Sequence, residues 1–499
     1  MTFAERCGIA SPERAQQVAR VLRRISDDGI VQLRFSWCDQ HGMLRGKTLM
    51  AAHAAGALDQ GVGMVGTLML KDTSDRTAYK VFEPDGLSDL PGFTGAANLL
   101  LLADPASFRV LPWADRTASL LCQPWFPDGQ PVPIDTRRVL QQALATLADA
   151  GYGLRCGLEV EFHIYRLDDA SARLDPNLAT WPGAAPQVSM IHPGYNLLSE
   201  SCTDMAHVPL GIVRETAQSL GLPLISLEIE LGPSQVEAVF DATDALTAAD
   251  DMVRFRNGVT QALRRAGYHA TFMCRPPFPD IMSSGWHLHQ SLVHLVDGRN
   301  AFMRESAKPG TTAMDAQSVL SPVGEHYLAG LLAHAGAMSV LCTPTINGYG
   351  RFQPNALAPI APLWGRDNRG AMLRVIGSAP SGPPDAHPDS ATRIENRLGE
   401  PCANPYLYIA SQVYAGLDGI RRQLTAPSAT DRPYGDHQTR LPTNLGDALR
   451  ALRDDAVMVE ALGATFVRYL DTLKRQELAR YAQAQDPQEW ERREYFARF

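Results

Sequence analysis

The sequence predicts an α+β protein with a small N-terminal unit and a much larger second unit. Segments with apolar residues at helical spacing are interspersed with segments in which apolar and polar residues alternate. The chain of 499 residues also exceeds the size at which a single core stops growing. A connection that contains prolines, DPASFRVLPWADRTA at 104–118, lies between the two predicted units.

The first unit is predicted from one helix and two strands. Residues 12–26 repeat apolar side chains at helical spacing after a Ser-Pro start, and the alternating segment 29–37 follows as a strand. The run LLLLAD at 99–104 is typical of a last buried strand. We therefore expect one domain at 1–111 and a second at 112–499.

The second unit begins with an amphipathic helix at 135–152, which ends at a glycine, and a long strand at 153–167. Further helices are expected at 243–266, 324–341, 404–423 and 456–484. Further strands are expected in LISLEIEL, SQVEAVF, GWHLHQSLVHL, AMLRVIG and ATRIENRL. The Pro- and Gly-rich stretch 376–388 is predicted to be a loop within this unit.

Composition excludes several classes of protein. The net charge of −8 argues against nucleic acid as the main partner, because phosphate binding needs a basic surface. The 8 cysteines lack the paired spacing of a zinc site or a disulfide scaffold, so a reduced, cytoplasmic protein is expected. The most apolar run, at 328–341, is too short to span a bilayer, and no membrane role is expected.

Acidic and imidazole side chains recur on the predicted strands. Side chains alternate faces along a strand, so Glu159, Glu161 and His163 in GLEVEFHIY share one face. One such pair on its own is usually a solvated sheet face. Similar residues recur on distant strands, however: Glu228, Glu230, Glu237, His287, His289 and Glu395. Carboxylates with an imidazole suit Mg²⁺ or Mn²⁺, so a metal site on a sheet surface is the economical interpretation.

Arginines concentrate late in the chain. They are Arg351, Arg366, Arg369, Arg374, Arg393 and Arg397. They could be surface charge, but Arg393, Glu395 and Arg397 share one strand face. Recognition of an anion by planar guanidinium groups is therefore the better interpretation.

Taken in order, these motifs resemble the glutamine synthetase superfamily. The resemblance rests on GLEVEF, ELGPSQVE, SGWHLHQSL, TPTINGYGRF, DNRGAMLRV and RIENR with ANPYL. It implies an N-terminal β-grasp domain and a large catalytic domain, in which antiparallel strands form a bifunnel flanked by helices. It also implies homo-oligomeric rings, usually dodecamers, with each active site shared between neighbours.

The resemblance also implies site residues and cofactors. It assigns ATP as co-substrate and two or more Mg²⁺ or Mn²⁺ ions to each site. The metal ligands would be Glu159, Glu161, Glu230, Glu237, His287 and Glu395. ATP would contact His289, Ser291, Arg369, Arg374 and Arg393, while glutamate would contact Arg351, Arg397 and Ser283. The catalytic roles would fall to Arg369, Arg351 and Glu237.

The implied reaction is ATP-dependent ligation of an amine to the γ-carboxylate of glutamate through γ-glutamyl phosphate. Three departures concern the amine. Leu357 stands where glutamine synthetases carry a glutamate, and Met282 and Ser283 replace an Asn-Gly. The Asp-Gly-Ser-Ser loop that holds ammonium is also replaced, here by GVGMVGTLML followed by KDTSD. A site without these charges disfavours a cation, so we predict a hydrophobic, aromatic amine of the aniline type, bound beside Leu357 and Met282.

Four alternatives stay open at this point. The acid could be supplied by Asp72 or Asp75, which would make the protein a glutamine synthetase that uses ammonia. The amine could instead be an alkylamine or a polyamine. The protein could also be a non-catalytic, ring-forming scaffold, or it could hydrolyse γ-glutamyl amides with a metal and without a nucleotide.

Overall fold

Two mixed sheets and their flanking helices make up the computed structural model, which describes residues 1–83, 86–90, 92–168, 179–306, 308–378 and 389–499. The predicted α+β class is confirmed. Most of the predicted loop 376–388 lies outside the described residues. Within the described ranges, no helix has the length and apolar character needed to cross a membrane.

The first sheet contains the N-terminal strands in the order β2-β1-β6-β4-β3, with β5 beside β6. Its strands are β1 (Gln32–Cys38), β2 (Leu44–Met50), β3 (Val62–Val65), β4 (Asn98–Ala103), β5 (Arg109–Val110) and β6 (Thr117–Trp125). The helices of this region are α1 (Phe3–Arg6), α2 (Pro12–Asp27) and α3 (Ala54–Gln60). Helix α2 begins where predicted, because the Ser11 side chain accepts a hydrogen bond from the Arg14 amide and proline occupies the first turn.

Strand β6 bears on the predicted domain division. It lies beyond residue 112, yet it pairs in parallel with β1 and antiparallel with β4. The division at 111 and 112 stays a prediction. Because β6 is hydrogen-bonded into the first sheet, we propose that the N-terminal unit extends through Trp125.

The second sheet has nine strands, with the path β13-β14-β15-β12-β7-β10-β9, and β8 and β11 also pair with β7. These strands are β7 (Tyr152–Leu167), β8 (Val188–Met190), β9 (Leu224–Ile229), β10 (Gln235–Asp244), β11 (Tyr268–Thr271), β12 (Trp286–His294), β13 (Trp364–Arg366), β14 (Leu373–Ile376) and β15 (Arg393–Gly399). All pairs are antiparallel except β13 with β14. Along β7, Leu158, Val160 and Phe162 are buried, and Phe162 meets the ring of Phe255 edge-on at 5.7 Å.

The remaining helices are α4 (Thr136–Asp149), α5 (Glu200–Met205), α6 (His207–Ser219), α7 (Ala245–Arg265), α8 (Pro322–Ala333), α9 (Ala335–Cys342), α10 (Pro405–Arg422), α11 (Leu445–Asp454), α12 (Ala456–Leu462), α13 (Ala464–Tyr481) and α14 (Pro487–Glu491). Two predicted helices are each divided. The segment 324–341 breaks at His334, whose ψ of 12° departs from helical geometry, and 456–484 breaks at Gly463, where φ is 86°. His334 also bridges two helical segments, because its ring nitrogens lie 2.9 Å from Asp418 and 2.6 Å from Asp455.

A buried polar cluster joins the C-terminal segment to an N-terminal loop. Glu494, in the π-helical turn Arg492–Phe496, accepts hydrogen bonds from the hydroxyls of Thr73 and Ser74. Arg480 connects both sides, since its guanidinium lies 2.5 Å from Glu494 and 2.9 Å from Asp72. The loop that contains KDTSD is therefore fixed to the end of the chain.

Candidate active site

Strand β7 presents two carboxylates to one face of the second sheet. Glu159 and Glu161 alternate with the buried apolar residues of the strand, as the sequence pattern predicts. The neighbouring strands complete the row: Glu161 is opposite Glu237 on β10, and Glu159 is opposite His287 on β12. The ladder thus brings distant segments to one face.

Five of the six predicted metal ligands meet in two overlapping groups. In each group the potential ligand atoms all lie within 4.8 Å of one another. The groups are Glu159, His287 and Glu395, and Glu161, Glu237 and His287. The sixth predicted ligand, Glu230, lies outside both groups, and its carboxylate accepts a hydrogen bond from the Leu231 amide at 2.9 Å.

The first group is organised around Glu159. Its carboxylate lies 2.9 Å from His289 Nε2 and 3.4 Å from His287 Nδ1. Burial opposes ionisation of Glu159, but hydrogen bonds with the two histidines outweigh it and hold the pKa well below its usual range. Burial, reinforced by the charge of Arg397, lowers the pKa of His287 to about 4. His287 is therefore neutral near physiological pH, as a metal ligand must be.

The second group brings the carboxylates of Glu161 and Glu237 close together. Burial and the charge of Glu230 raise the pKa of Glu161 to about 7. Burial and the charge of Glu161 raise the pKa of Glu237 to about 10. A divalent cation among these oxygens would stabilise their ionised forms, so the donor set fits Mg²⁺ or Mn²⁺.

Two arginines flank the fully buried Glu395. Its carboxylate lies 2.8 Å from Arg374 and also pairs with Arg397. Burial opposes the charge of Glu395, yet the charge of Arg397 outweighs it and lowers the pKa to about 2. Glu395 therefore stays ionised and orients two guanidinium groups beside the first group of ligands.

Arg351 approaches the same face from the turn Asn347–Arg351. It donates to the carbonyl of Arg397 at 2.9 Å, and its other terminal nitrogen lies 3.4 Å from His287 Nε2. This approach requires glycine at position 285, because a Cβ there would lie 2.5 Å from the Arg351 guanidinium. The Gly285 amide also donates to Glu161 at 2.7 Å.

A cavity of about 690 Å³ opens beside Glu159, and three of the five residues predicted to contact ATP line it. His289, Ser291 and Arg393 line it, and Arg393 donates to His289 Nδ1 at 3.0 Å. A volume of this size suits a ligand as large as a nucleotide.

Comparisons with known proteins identify the family. The family model described as "Glutamine synthetase, catalytic domain" matches residues 133–495. The chain belongs to the glutamine synthetase family.

Its relatives include ligases for several amines. A γ-glutamylanilide synthase from Acinetobacter sp is 38% identical over 497 residues, which cover 96% of this chain and 95% of that protein. A glutamate–isopropylamine ligase from Pseudomonas sp is 32% identical over 416 residues and covers 83% of each chain. A solved structure named "GmaS/ADP complex-Conformation 1" is similar with a TM-score of 0.74 and 28% identity, over 95% of this chain and 98% of that one. This member of the glutamine synthetase family is accordingly an ATP-dependent glutamate–amine ligase.

Four predicted site residues belong to neither of the two groups of potential metal ligands. Arg369 is exposed and, within the described ranges, makes no hydrogen bond or ion pair. Leu357 is 57% exposed, although its carbonyl lies 3.4 Å from an Arg397 terminal nitrogen. Met282 and Ser283 are half-buried, and the Ser283 hydroxyl accepts from Arg275 at 3.2 Å. The predicted roles of these residues remain predictions.

Sequence reasoning missed several residues of this glutamine synthetase site. Gln235 donates to Ser284 at 3.0 Å and to Glu161 at 3.4 Å, and so orients a predicted metal ligand. Gln235 is two residues before Glu237 on β10, so strand alternation could have indicated it. Arg155 lines the large cavity from β7, but no pattern in the sequence distinguishes it from a surface arginine.

The two acids considered as replacements for the missing glutamate are both paired. Asp72 is fully buried and lies 2.9 Å from Arg480 and from the Gln476 amide. Asp75 lies 2.8 Å from Arg45 and is partly exposed. Within this chain, neither carboxylate is free to compensate the charge of an ammonium ion.

Proposed function

We propose that this ligase joins the γ-carboxylate of L-glutamate to a hydrophobic, aromatic amine of the aniline type, with ATP as the phosphoryl donor. The observation that carries the proposal is the side chain at the position of the missing glutamate. Leu357 presents an apolar surface there, and the acids of the KDTSD loop are occupied by arginines. The identity of 38% to a γ-glutamylanilide synthase supports the same amine.

The charge of the amine is the reason for proposing an arylamine instead of ammonium or an alkylamine. Ammonium or an alkylammonium ion would need a carboxylate to compensate its charge and a base to remove a proton. An arylamine is already neutral near pH 7, so its lone pair is available without such a base. An apolar wall such as Leu357 and Met282 stabilises the ring by burying its surface.

The reaction has two steps. An oxygen of the glutamate γ-carboxylate attacks the γ-phosphorus of ATP, the bond to the bridging oxygen breaks, and ADP leaves. The amine nitrogen then forms a bond to the γ-carbonyl carbon, the carbon–oxygen bond to phosphate breaks, and the nitrogen loses a proton to give the amide.

The arginines neutralise charge during both steps. Arg369 and Arg374 face the phosphates of ATP in this assignment, and Arg351 and Arg397 bind glutamate; Glu395 anchors Arg374 and Arg397. Glu161, Glu230 and Glu237 would hold one divalent cation, and Glu159, His287 and Glu395 a second. Bound cations would supply further charge neutralisation at the phosphates.

Phosphate release with a panel of amines tests the proposal. Purified protein with Mg²⁺ or Mn²⁺, ATP and glutamate is assayed with aniline, isopropylamine, ethanolamine and ammonium, and mass spectrometry identifies the amide product. We expect the highest kcat/KM with aniline. Equal or better turnover with ammonium would overturn the amine assignment and leave the ligase class intact.

A ligase for alkylamines is the second candidate. It is favoured by the 32% identity to a glutamate–isopropylamine ligase and the 30% identity to a γ-glutamylethanolamide synthetase from Streptomyces coelicolor. The same panel distinguishes the two candidates, because an alkylamine ligase would prefer isopropylamine or ethanolamine to aniline.

We also propose that copies of this chain assemble as rings of the dodecamer type. Strands β2 and β9 each lie at an edge of a sheet, which leaves backbone groups available for another copy. Light scattering after size-exclusion chromatography measures the mass. A monomer of 54.4 kDa at assay concentration would contradict this proposal.

A further inference from the structure

Glu400 is a buried acid that the proposed function does not use. It directly follows strand β15, and its side chain is fully shielded from solvent. In the part of the chain that the structure describes, no arginine or lysine forms an ion pair with it. Burying a carboxyl group costs free energy, and burial raises the pKa of Glu400 to about 7. A carboxyl group kept at this cost directs the search to its hydrogen-bond partners.

Those partners lie in and beside the turn Asn347–Arg351. One carboxyl oxygen of Glu400 accepts a hydrogen bond from the Thr345 amide at 2.7 Å, and the other accepts one from the Thr345 hydroxyl at 2.8 Å. That hydroxyl accepts a hydrogen bond from the Gly348 amide at 3.0 Å. A Cβ added to Gly348 would lie 2.5 Å from Glu400 Oε2, so the carboxyl group rests directly on the backbone of the turn.

The same turn carries Arg351, which binds back to β15. The Arg351 guanidinium donates to the carbonyl of Arg397 at 2.9 Å and to the carbonyl of Gly399 at 3.2 Å. Gly399 is the residue next to Glu400 in the chain. The turn and the end of β15 therefore hold each other twice, because Arg351 reaches the strand and Glu400 reaches the turn.

This double link sets the spacing of the two arginines assigned to glutamate. Arg397 is part of β15, whereas the position of Arg351 follows the path of the turn. Without the Glu400 carboxyl group, the buried Thr345 amide and hydroxyl lose their acceptor, and the turn loses one of its two links to the strand. A displacement of about 1 Å in a substrate-positioning group costs roughly 100-fold in rate, so small shifts of the turn matter.

We propose that Glu400 is a positioning residue, which fixes the turn that carries Arg351 and so keeps Arg351 and Arg397 at the spacing that binds glutamate. This inference rests on the proposed function in one respect, the assignment of these two arginines to glutamate. It does not depend on which amine the enzyme uses.

Glu400→Ala tests the inference because it removes the carboxyl group and leaves both arginines in the chain. We expect its KM for glutamate to rise about tenfold or more, with the KM for ATP within about twofold of wild type. Glu400→Gln restores both links to Thr345, because its carbonyl accepts from the amide and its NH₂ group donates to the hydroxyl. We expect Glu400→Gln to recover most of the lost affinity for glutamate.

Thr345→Val breaks the same link from the other side. Valine keeps the shape of threonine and removes the hydroxyl between Glu400 and Gly348. We expect the KM for glutamate to rise in this variant too, and the double variant with Glu400→Ala to be no worse than Glu400→Ala alone.

Glu325→Ala is the matched control. Glu325 is also a buried acid without an ion pair among the described residues, and it accepts a hydrogen bond from Gln317 at 3.2 Å. It lies on α8, and no predicted site residue belongs to that helix. We expect this control to leave both KM values unchanged.

Calorimetry without any amine separates this inference from the proposed function. Glutamate is titrated into wild type and each variant in the presence of Mg²⁺ and a non-hydrolysable ATP analogue. Weaker binding by Glu400→Ala, with recovery in Glu400→Gln, supports the inference even if the amine proves to be ammonium. Equal affinity for wild type and Glu400→Ala would overturn it, and so would an equal loss of affinity in Glu325→Ala.

Two further outcomes are also decisive. If Glu400→Ala does not fold, as judged by its thermal unfolding midpoint, unchanged affinity in Thr345→Val would overturn the inference and weaker binding would support it. Absence of glutamate binding by wild type would overturn the proposed substrate together with this inference.

Discussion

Leu357→Glu restores the acid that this chain lacks and should redirect its amine preference. Leu357 adopts a left-handed φ of 53°, and its side chain is 57% exposed. Glutamate has no β-branch, so it tolerates this backbone conformation about as well as leucine does. The substitution therefore changes the chemistry of the surface with little change in strain.

The exposed fraction of the Leu357 side chain sets the size of the expected change in the KM for aniline. Burying a whole leucine side chain is worth about 1.5–3 kcal/mol. Since 57% of Leu357 is exposed, covering it with an aromatic amine is worth up to roughly 0.9–1.7 kcal/mol. Loss of that contact corresponds to a rise of roughly 4- to 20-fold in the KM for aniline.

Phosphate release with aniline and with ammonium measures this change. We expect Leu357→Glu to raise the KM for aniline within that interval and to increase turnover with ammonium. Leu357→Gln has nearly the shape of Leu357→Glu without its charge, so it separates the two effects. Leu357→Met is the matched apolar control, and we expect its kinetics to stay near those of wild type. An unchanged KM for aniline in Leu357→Glu would refute the placement of the amine beside this residue.

Three further substitutions test the site and the fold. Glu395→Gln removes the counter-charge of Arg374 and of the buried Arg397, so phosphate release should fall by roughly 100-fold or more, with circular dichroism as the check on folding. Burial opposes the charge of His334, but hydrogen bonds with Asp455 and Asp418 outweigh it and raise its pKa. The protonated His334 therefore stabilises the folded protein. This contribution is complete below the ordinary histidine pKa near 6.5, and it is lost as pH rises through the raised pKa of His334 in the folded state. Unfolding midpoints at pH 6 and pH 8 should therefore differ less in His334→Gln than in wild type. Glu494→Ala leaves Arg480 paired with Asp72 but removes the acceptor of the buried Thr73 and Ser74 hydroxyls, so urea titration should show a loss of about 1–3 kcal/mol in the free energy of unfolding. A loss below about 0.5 kcal/mol would contradict the role of this cluster.

Strand alternation predicted that acidic and imidazole side chains from distant segments share one sheet face, and the structure brings five of them together there. Glu159, Glu161, Glu237, His287 and Glu395 came from four separate segments, and each segment is a strand of one sheet. Alternation succeeds here because one face of each strand is buried, which fixes the direction of the polar residues. The pattern alone cannot give the distances between strands, which depend on pairing.

Residues in turns and loops were harder to predict. Arg369 lies in a turn, where side-chain direction follows no period. The helix breaks at His334 and Gly463 were also missed, because the apolar spacing continues across both. Strand β2 escaped prediction, since its mostly polar, exposed residues LRGKTLM give no clear alternation.

The cluster around Glu494 has a consequence for synthesis in the cell. Thr73 and Glu494 are separated by 421 residues in the sequence. At about 5–20 residues per second, a ribosome needs roughly 20–85 s between the two. During this interval the nascent N-terminal region exposes Thr73 and Ser74 without their final partner, and chaperones have time to bind it.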